Sequence, residues 1–299
     1  MNSRRTVVLW TALWGLGARA LSTAPNIRNY VDVHCHLTHC RFQGEEDIVA
    51  NRARISGLEY CVVNGLDPAS NREVLQLCSR HSHLLPAVGI YPLDAAASVI
   101  TPDMWSHLPE RFTAPARFDT DAEIDFIDQA AARGEVVAVG ECGLDRFYLS
   151  DDSFLVEQER VLRMLLRVSV KHDLPVILHS RKAEARVFEM LIEEGVSKAI
   201  FHCYSGKIKL ALKIAEAGYM VSIPSVVERA DSFRQLAKKV PMDSILTETD
   251  SPYMSPDKGV RNEPATIPRG LKAIAAVKNM TPEEAADAVR CNFSRVFGL

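Results

Sequence analysis

Six side chains able to ligate a divalent cation close short apolar runs spread along the chain. They are His34 and His36 in Val31-Asp32-Val33-His34-Cys35-His36, Glu141 in Val139-Gly140-Glu141-Cys142-Gly143, His179 in Ile177-Leu178-His179-Ser180, His202 in Ile200-Phe201-His202-Cys203, and Asp250 in Thr247-Glu248-Thr249-Asp250. Imidazole nitrogens suit zinc, manganese or iron, and carboxylates admit magnesium as well. Residues two apart on a strand point to the same side, so His34 and His36 can share one ion. Glu141 has two oxygens and can bridge two ions, with His179 and His202 on one side and His34, His36 and Asp250 on the other. Paired ions about 3.5–4 Å apart clamp the attacking and leaving oxygens of a displacement. The chemistry expected is hydrolysis assisted by two divalent ions: Mg2+, Mn2+ or Zn2+.

Such side chains act together only if the fold brings distant strand ends to one place. Eight strands are predicted, over 30–35, 58–64, 84–89, 136–141, 175–179, 198–202, 219–223 and 244–249. Helical patterns lie between them, such as 71–80 and 154–171, where Leu155, Leu162, Leu165, Leu166 and Val170 follow helical spacing. A last helix opens at Thr281-Pro282-Glu283-Glu284, a capping box with proline at its first position. Eight strand–helix units predict an α/β fold of the (β/α)8 TIM-barrel type, whose active sites form at the C-terminal ends of the strands. An open doubly wound sheet would not gather ligands from its first and last strands. The chain contains its own control: His81 and His83 repeat the spacing of His34 and His36 but precede a strand, as does His172, and belong to the opposite face.

The chain has 299 residues, 47% of them apolar, enough for one large barrel domain over 30–299. A net charge of −3 predicts neither general nucleic-acid nor membrane binding, so any affinity for DNA must come from locally placed charge. Seven cysteines without a CxxC pair do not form a disulfide framework. Cys35, Cys142 and Cys203 adjoin candidate ligands and are expected to be small packing residues. Residues 1–29 contain arginines and no acid, with an apolar run from Val7 to Leu16. They resemble an organellar transit peptide, mitochondrial or plastid, with a secretory signal, or an inert extension on a cytoplasmic or nuclear protein, as the alternatives. The stretch from Pro92 to Ala122, with three further prolines, is expected to be a long irregular loop over the top face.

Several segments together resemble the ordered signatures of the TatD family of metal-dependent deoxyribonucleases. They are Asp32-Val33-His34-Cys35-His36-Leu37, Gly140-Glu141-Cys142-Gly143-Leu144-Asp145, His179-Ser180-Arg181, His202-Cys203-Tyr204-Ser205-Gly206, Glu248-Thr249-Asp250-Ser251-Pro252-Tyr253 and Arg261-Asn262-Glu263-Pro264. The resemblance runs from about residue 30 to the C-terminus. It implies a barrel of the amidohydrolase type that hydrolyses DNA phosphodiester bonds with divalent metal, often as a 3′→5′ exonuclease on single-stranded ends. Carried over residue by residue, it makes His34, His36, Glu141, His179, His202 and Asp250 the metal ligands. Asp250 is the candidate to orient or deprotonate the attacking water, and Glu141 the bridging carboxylate. The chain departs from the family at Tyr91, in Val88-Gly89-Ile90-Tyr91-Pro92, where many members carry histidine; a tyrosine hydroxyl can still hydrogen-bond a phosphate or a bound water.

Substrate contacts are expected from loop residues after different strands: Arg146, Arg181, Lys182, Lys207, Arg229 and Arg261 for phosphates, and Phe147, Tyr148, Tyr204 and Tyr253 for stacking on unpaired bases. Arg181, Arg261, Tyr204 and Tyr91 are the leading candidates. The alternative is a barrel metallohydrolase acting on a lactone, amide or phosphotriester, many of which bridge their metals with a carboxylated lysine where this chain has Glu141. A third reading, a metal-binding protein without catalysis, would predict a missing ligand, and none is missing.

Overall fold

A computed structural model of the chain describes residues 29–101, 116–148 and 152–299. The N-terminal leader, apart from Asn29, and the middle of the Pro92–Ala122 stretch lie outside the described residues. Eight parallel strands form one sheet in sequence order: β1 (Tyr30–Cys35), β2 (Leu58–Asn64), β3 (Leu84–Val88), β4 (Ala138–Gly143), β5 (Val176–His179), β6 (Ala199–Phe201), β7 (Met220–Pro224) and β8 (Ile245–Glu248). Helices connect successive strands, so both strand faces are covered, and β1, β4 and β7 are buried at every position. That burial explains why these segments read as nearly continuous apolar runs. Ala138, Ile177, Ile200, Met220 and Leu246, one from each of β4 to β8, join a buried cluster with Val31, Val33, Cys61 and Val63 from β1 and β2. Residues from opposite parts of the sheet meet there because the sheet curls on itself.

The curl is closed by side chains and backbone between β1 and β8. Thr247 donates its hydroxyl to the Val31 carbonyl at 2.6 Å. Asp32 accepts from the Thr249 hydroxyl at 2.6 Å and the Thr249 amide at 3.0 Å. Past the strand ends, the Asp250 amide donates to the His34 carbonyl at 2.9 Å and the His36 amide to the Ser251 carbonyl at 2.8 Å. The architecture is therefore a nearly closed (β/α)8 barrel, as the sequence pattern predicts.

The predicted strands correspond in order to the observed ones, with β4 displaced by two residues, from 136–141 to Ala138–Gly143. The capping box at Thr281 forms as expected, its side chain accepting from the Glu284 amide, and opens the helix Pro282–Phe297. The stretch after β3 is less irregular than expected: a short helix spans Pro92–Ala95, and the helix Thr120–Ala132 starts at an Asp119 cap. No helix among the described residues is long and apolar enough to cross a membrane.

Two glycines set the packing at the exit of β4. A Cβ on Gly89 would lie 2.5 Å from the Glu141 carbonyl oxygen. A Cβ on Gly143, whose φ is +146°, would lie 1.9 Å from the His179 carbonyl oxygen. Strands β3, β4 and β5 can approach this closely only without those side chains. Gly143→Ala is expected to lower the unfolding free energy by roughly 3 kcal/mol or more, through strain and forced separation of β4 from β5. Gly134→Ala, at φ +68° with open space around it, should cost only about 1–2 kcal/mol. Urea unfolding midpoints of the two variants check this, and equal costs would contradict the packing argument.

Candidate metal centre

All six candidate ligands lie within two residues of a strand's C-terminal end. Glu141 is two residues before the end of β4, His34 one before the end of β1, and His179 is the last residue of β5. His36 and His202 follow β1 and β6 by one residue, and Asp250 follows β8 by two. Asp250 takes a left-handed backbone, φ +52°, as the chain turns out of the barrel.

The structure brings these side chains into one cluster organised by the two oxygens of Glu141. Oε2 lies 3.4 Å from the Nε2 atoms of both His34 and His36. Those two nitrogens are 3.0 Å apart, and each is 3.7 Å from Asp250 Oδ1. Oε1 faces the other way, 2.9 Å from His202 Nε2 and 3.1 Å from His179 Nδ1. The His34 and His202 rings stack across the two groups at 3.8 Å between centroids. The nitrogens of His34 and His36 lie 3.0 Å apart and 3.4–3.7 Å from the Glu141 and Asp250 oxygens, close to the edges of a small coordination polyhedron, since bonds of about 2.0–2.2 Å in tetrahedral array set ligands about 3.3–3.6 Å apart. The donor set fits a divalent cation.

Partners behind the ligands hold them in place, and most of these have no role assigned by the sequence reading. His36 Nδ1 is 3.1 Å from the Asn64 carbonyl, which fixes its proton there and turns Nε2 inward. Asp145, fully buried, approaches His179 Nε2 at 2.8 Å while accepting from the amides of Phe147 and Tyr148 at 2.8 and 2.7 Å. Glu248, also fully buried, accepts from the Cys203 amide at 2.7 Å and the Ser222 hydroxyl at 2.6 Å, and stands 3.7 Å from His202 Nδ1. The missed signal was period-two spacing. Asp32 precedes His34 by two residues, and Glu248 precedes Asp250 by two, the same spacing that links His34 to His36.

The cluster's charge state follows from burial opposed by contact. Burial alone would raise the Glu141 carboxyl, but His202 and His34 beside it hold it well below the usual carboxylate range. Burial likewise opposes protonation of His202, yet the Glu141 carboxylate carries it well above its ordinary value. His34 is pushed well down by burial and by the neighbouring His202, so it presents a neutral imidazole. Burial pushes Asp250 up to about 7 despite the pull of His202 and His36. Buried carboxylates in this number are costly without compensating positive charge, which a divalent cation supplies.

The predicted substrate residues fare differently. Tyr91 remains at the centre, its ring meeting that of His179 edge-on at 5.0 Å between centroids. Arg181 donates to the Tyr148 hydroxyl at 2.8 Å and lies over the Phe147 ring at 3.7 Å, on the β4–β5 side of the mouth. Tyr204 is a correction: it is 1% exposed and donates its hydroxyl to the Lys207 carbonyl at 2.9 Å, so it is a core residue with no face open to a base. Arg261 is committed to the Arg41 carbonyl at 2.5 Å and to the Glu45 carboxylate at 2.6 Å, and it braces a loop more than it offers charge. Arg146 is paired with Asp152 at 2.6 Å. Of the control histidines, His81 and His172 pair with Asp47 at 2.6 Å and Asp128 at 2.7 Å. His83 is buried, with Nε2 2.9 Å from the Ala50 carbonyl.

A parallel barrel with imidazoles and carboxylates converging at its C-terminal mouth defines a hydrolase of the metal-dependent barrel class. The sequence model of the TatD related DNase family matches residues 31–298. The human deoxyribonuclease TATDN3 is 31% identical over 271 residues, covering 89% of this chain and 94% of its own. The 3′-5′ ssDNA/RNA exonuclease TatD of Citrobacter rodentium is 29% identical over 280 residues, covering 90% and 97%. The crystal structure of a TatD homologue from Escherichia coli K12 superposes with a TM-score of 0.76 at 27% identity, covering 91% of this chain and 99% of that one. This chain belongs to the TatD family of deoxyribonucleases.

Asp145→Asn should weaken divalent-ion binding about 10–100-fold by releasing His179 from its fixed tautomer and orientation. Isothermal titration with Mn2+ reads this directly. Glu141→Gln should weaken binding further, because it removes the one anion that faces both groups of histidines. Unchanged affinity in both variants would show that ions bind elsewhere.

Proposed function

We propose that the protein removes nucleotides from the 3′ end of single-stranded DNA by metal-assisted hydrolysis, using two divalent ions. The observation that carries this reading is the division of Glu141, with one oxygen toward His34, His36 and Asp250 and the other toward His179 and His202. His34, His36 and Asp250 would hold one ion with Oε2, and His179 and His202 the other with Oε1. Bound there, such ions make hydroxide available near neutral pH and neutralise charge on phosphate oxygens. Membership of a deoxyribonuclease family, and a Citrobacter relative named as a 3′-5′ ssDNA/RNA exonuclease, support DNA and the 3′ direction.

The chain's own residues supply position and proton transfer. Asp250 leaves the barrel at the β8 exit beside β1, with Oδ1 3.7 Å from the Nε2 atoms of both His34 and His36, and its carboxylate can accept a proton from the attacking water there. Tyr91 stands on the His179 side. Burial and the carboxylates of Glu141 and Asp145 keep its hydroxyl protonated, so it serves as a neutral hydrogen-bond donor to a phosphate oxygen. Arg181, held flat on Phe147 and tied to Tyr148, presents a pre-oriented guanidinium to a phosphate at the same rim.

The decisive assay follows product release from 3′-labelled and 5′-labelled single-stranded DNA with Mg2+, Mn2+ or EDTA. Mononucleotides should leave from the 3′ end, and EDTA should abolish release. Asp250→Asn should lower kcat by about 10²-fold or more, and His202→Ala should remove activity along with bound metal. Full turnover by Asp250→Asn would exclude its role as proton acceptor. Absence of cleavage with metal bound would exclude the nuclease reading.

A further inference from the structure

A groove of about 690 Å³ lies beside the centre, on the His34/His36/Asp250 side of Glu141. Its volume falls in the range of small-ligand sites, about 300–1,000 Å³. Two short connections join it to the ligands: Tyr253, whose amide donates to the Asp250 carbonyl at 2.8 Å, and the turn Cys40–Phe42, which follows His36. Val226, Phe233 and Pro252 are buried groove-lining residues and make an apolar floor. Tyr253 is 45% exposed, with its hydroxyl 2.9 Å from His39 Nε2.

The charge of the groove is not balanced. Arg41 lies over the Tyr253 ring at 5.4 Å from its centroid, and no carboxylate pairs with it among the described residues. Arg229 bonds through two nitrogens to the Ser255 carbonyl, at 3.3 and 3.1 Å, and forms no ion pair among the described residues, although after Arg269 its charge helps hold the Asp257 carboxyl below the usual range. Asp257 also lines the groove, but Arg269 holds it with two bonds of 2.6 and 3.0 Å. Arg261 is neutralised by Glu45 and anchors the carbonyl of Arg41. Two exposed guanidiniums thus flank an apolar floor and an exposed aromatic ring. Phosphates attract the first, and an unpaired base fits the second.

We infer that this groove is the track for single-stranded nucleic acid on one side of the scissile bond, with Arg41 and Arg229 meeting non-scissile phosphates and Tyr253 stacking on a base. The inference rests on the nuclease reading of the adjoining centre. A strand lying in the groove has its neighbouring phosphate at Asp250, while Arg181 stands across the mouth. Grip is applied to the substrate's length and not to the reacting phosphate.

The test uses the full-length, Mg2+-loaded protein and a fluorescent oligonucleotide of roughly ten nucleotides with hydrolysis-resistant phosphorothioate 3′ linkages. Affinity is measured across salt concentrations for wild type, Arg41→Ala, Arg229→Ala, the double variant and Arg229→Lys. Each alanine should reduce the slope of log affinity against log salt by about 0.7, and the pair by about 1.4. Arg229→Lys, which keeps the charge, should retain most of the slope. In parallel, kcat/KM of the double variant should fall at least tenfold more on an unmodified oligonucleotide than on a dinucleotide. Unchanged slopes, equal losses on both substrates, or an Arg229→Lys loss as large as that of alanine would overturn the proposal. If wild type cleaves no phosphodiester at all, the nuclease reading fails, while the salt slopes still judge the groove.

Discussion

The cost of keeping Glu141 ionised inside the barrel mouth governs the rest of this site. A carboxylate with 2% exposure survives as an anion only if positive charge or hydrogen-bond donors surround it. The chain meets this with imidazoles from three other strand exits, two on each oxygen. Each imidazole then needs its own orientation, and Asn64, Asp145 and Glu248 stand behind His36, His179 and His202 respectively. The nitrogens His34 Nδ1 and His202 Nδ1 remain buried with no hydrogen-bond partner among the described residues. Such a constellation is unfavourable for folding on its own. A divalent cation held by these side chains would compensate the clustered acids.

The same cluster depends on barrel closure more than on any single strand. His34 and Asp250 are over two hundred residues apart in sequence, and nothing local brings them together. Asp32 does so by accepting from His34's own amide at 3.1 Å as well as from Thr249, the residue after β8. One buried side chain thus ties the first strand to the last and sets the height at which each leaves the barrel. Close approach at β3, β4 and β5, permitted by Gly89 and Gly143, places Glu141 from the far side. Structural and functional residues are consequently interleaved at the strand ends, often one position apart.

This interleaving determines what could be read from the chain alone. Strand order and the six converging residues were legible because parallel strands covered on both faces are nearly unbroken apolar runs, and a polar group ending such a run stands out. Asp145 was not assigned a role because it follows its strand, in a loop whose backbone amides it satisfies; its contact with His179 is a tertiary fact. Tyr204 was misread for the opposite reason. An aromatic beside a ligand looks like a stacking surface, but Gly206 leaves room for its ring, with a Cβ there only 2.6 Å from the Tyr204 hydroxyl, and the ring turns into the core. Arg261 shows that a basic residue in a signature segment need not present its charge, because its partners Glu45 and the Arg41 carbonyl are distant in sequence.

Pairing also explains how an acidic protein can face a polyanion. Three guanidiniums near the barrel mouth meet carboxylates: Arg146 meets Asp152, Arg261 meets Glu45, and Arg269 meets both Glu228 and Asp257. Exposed pairs of this kind contribute little stability, but they cancel the field that would otherwise draw nucleic acid over the whole surface. Arg181 is held differently, by aromatic faces and a phenol, and Arg41 and Arg229 by a ring and a carbonyl. Those partners fix the guanidinium without neutralising it. Guanidiniums without a carboxylate partner therefore stand on both sides of the Glu141 cluster, and a net charge of −3 is compatible with phosphate recognition at the mouth.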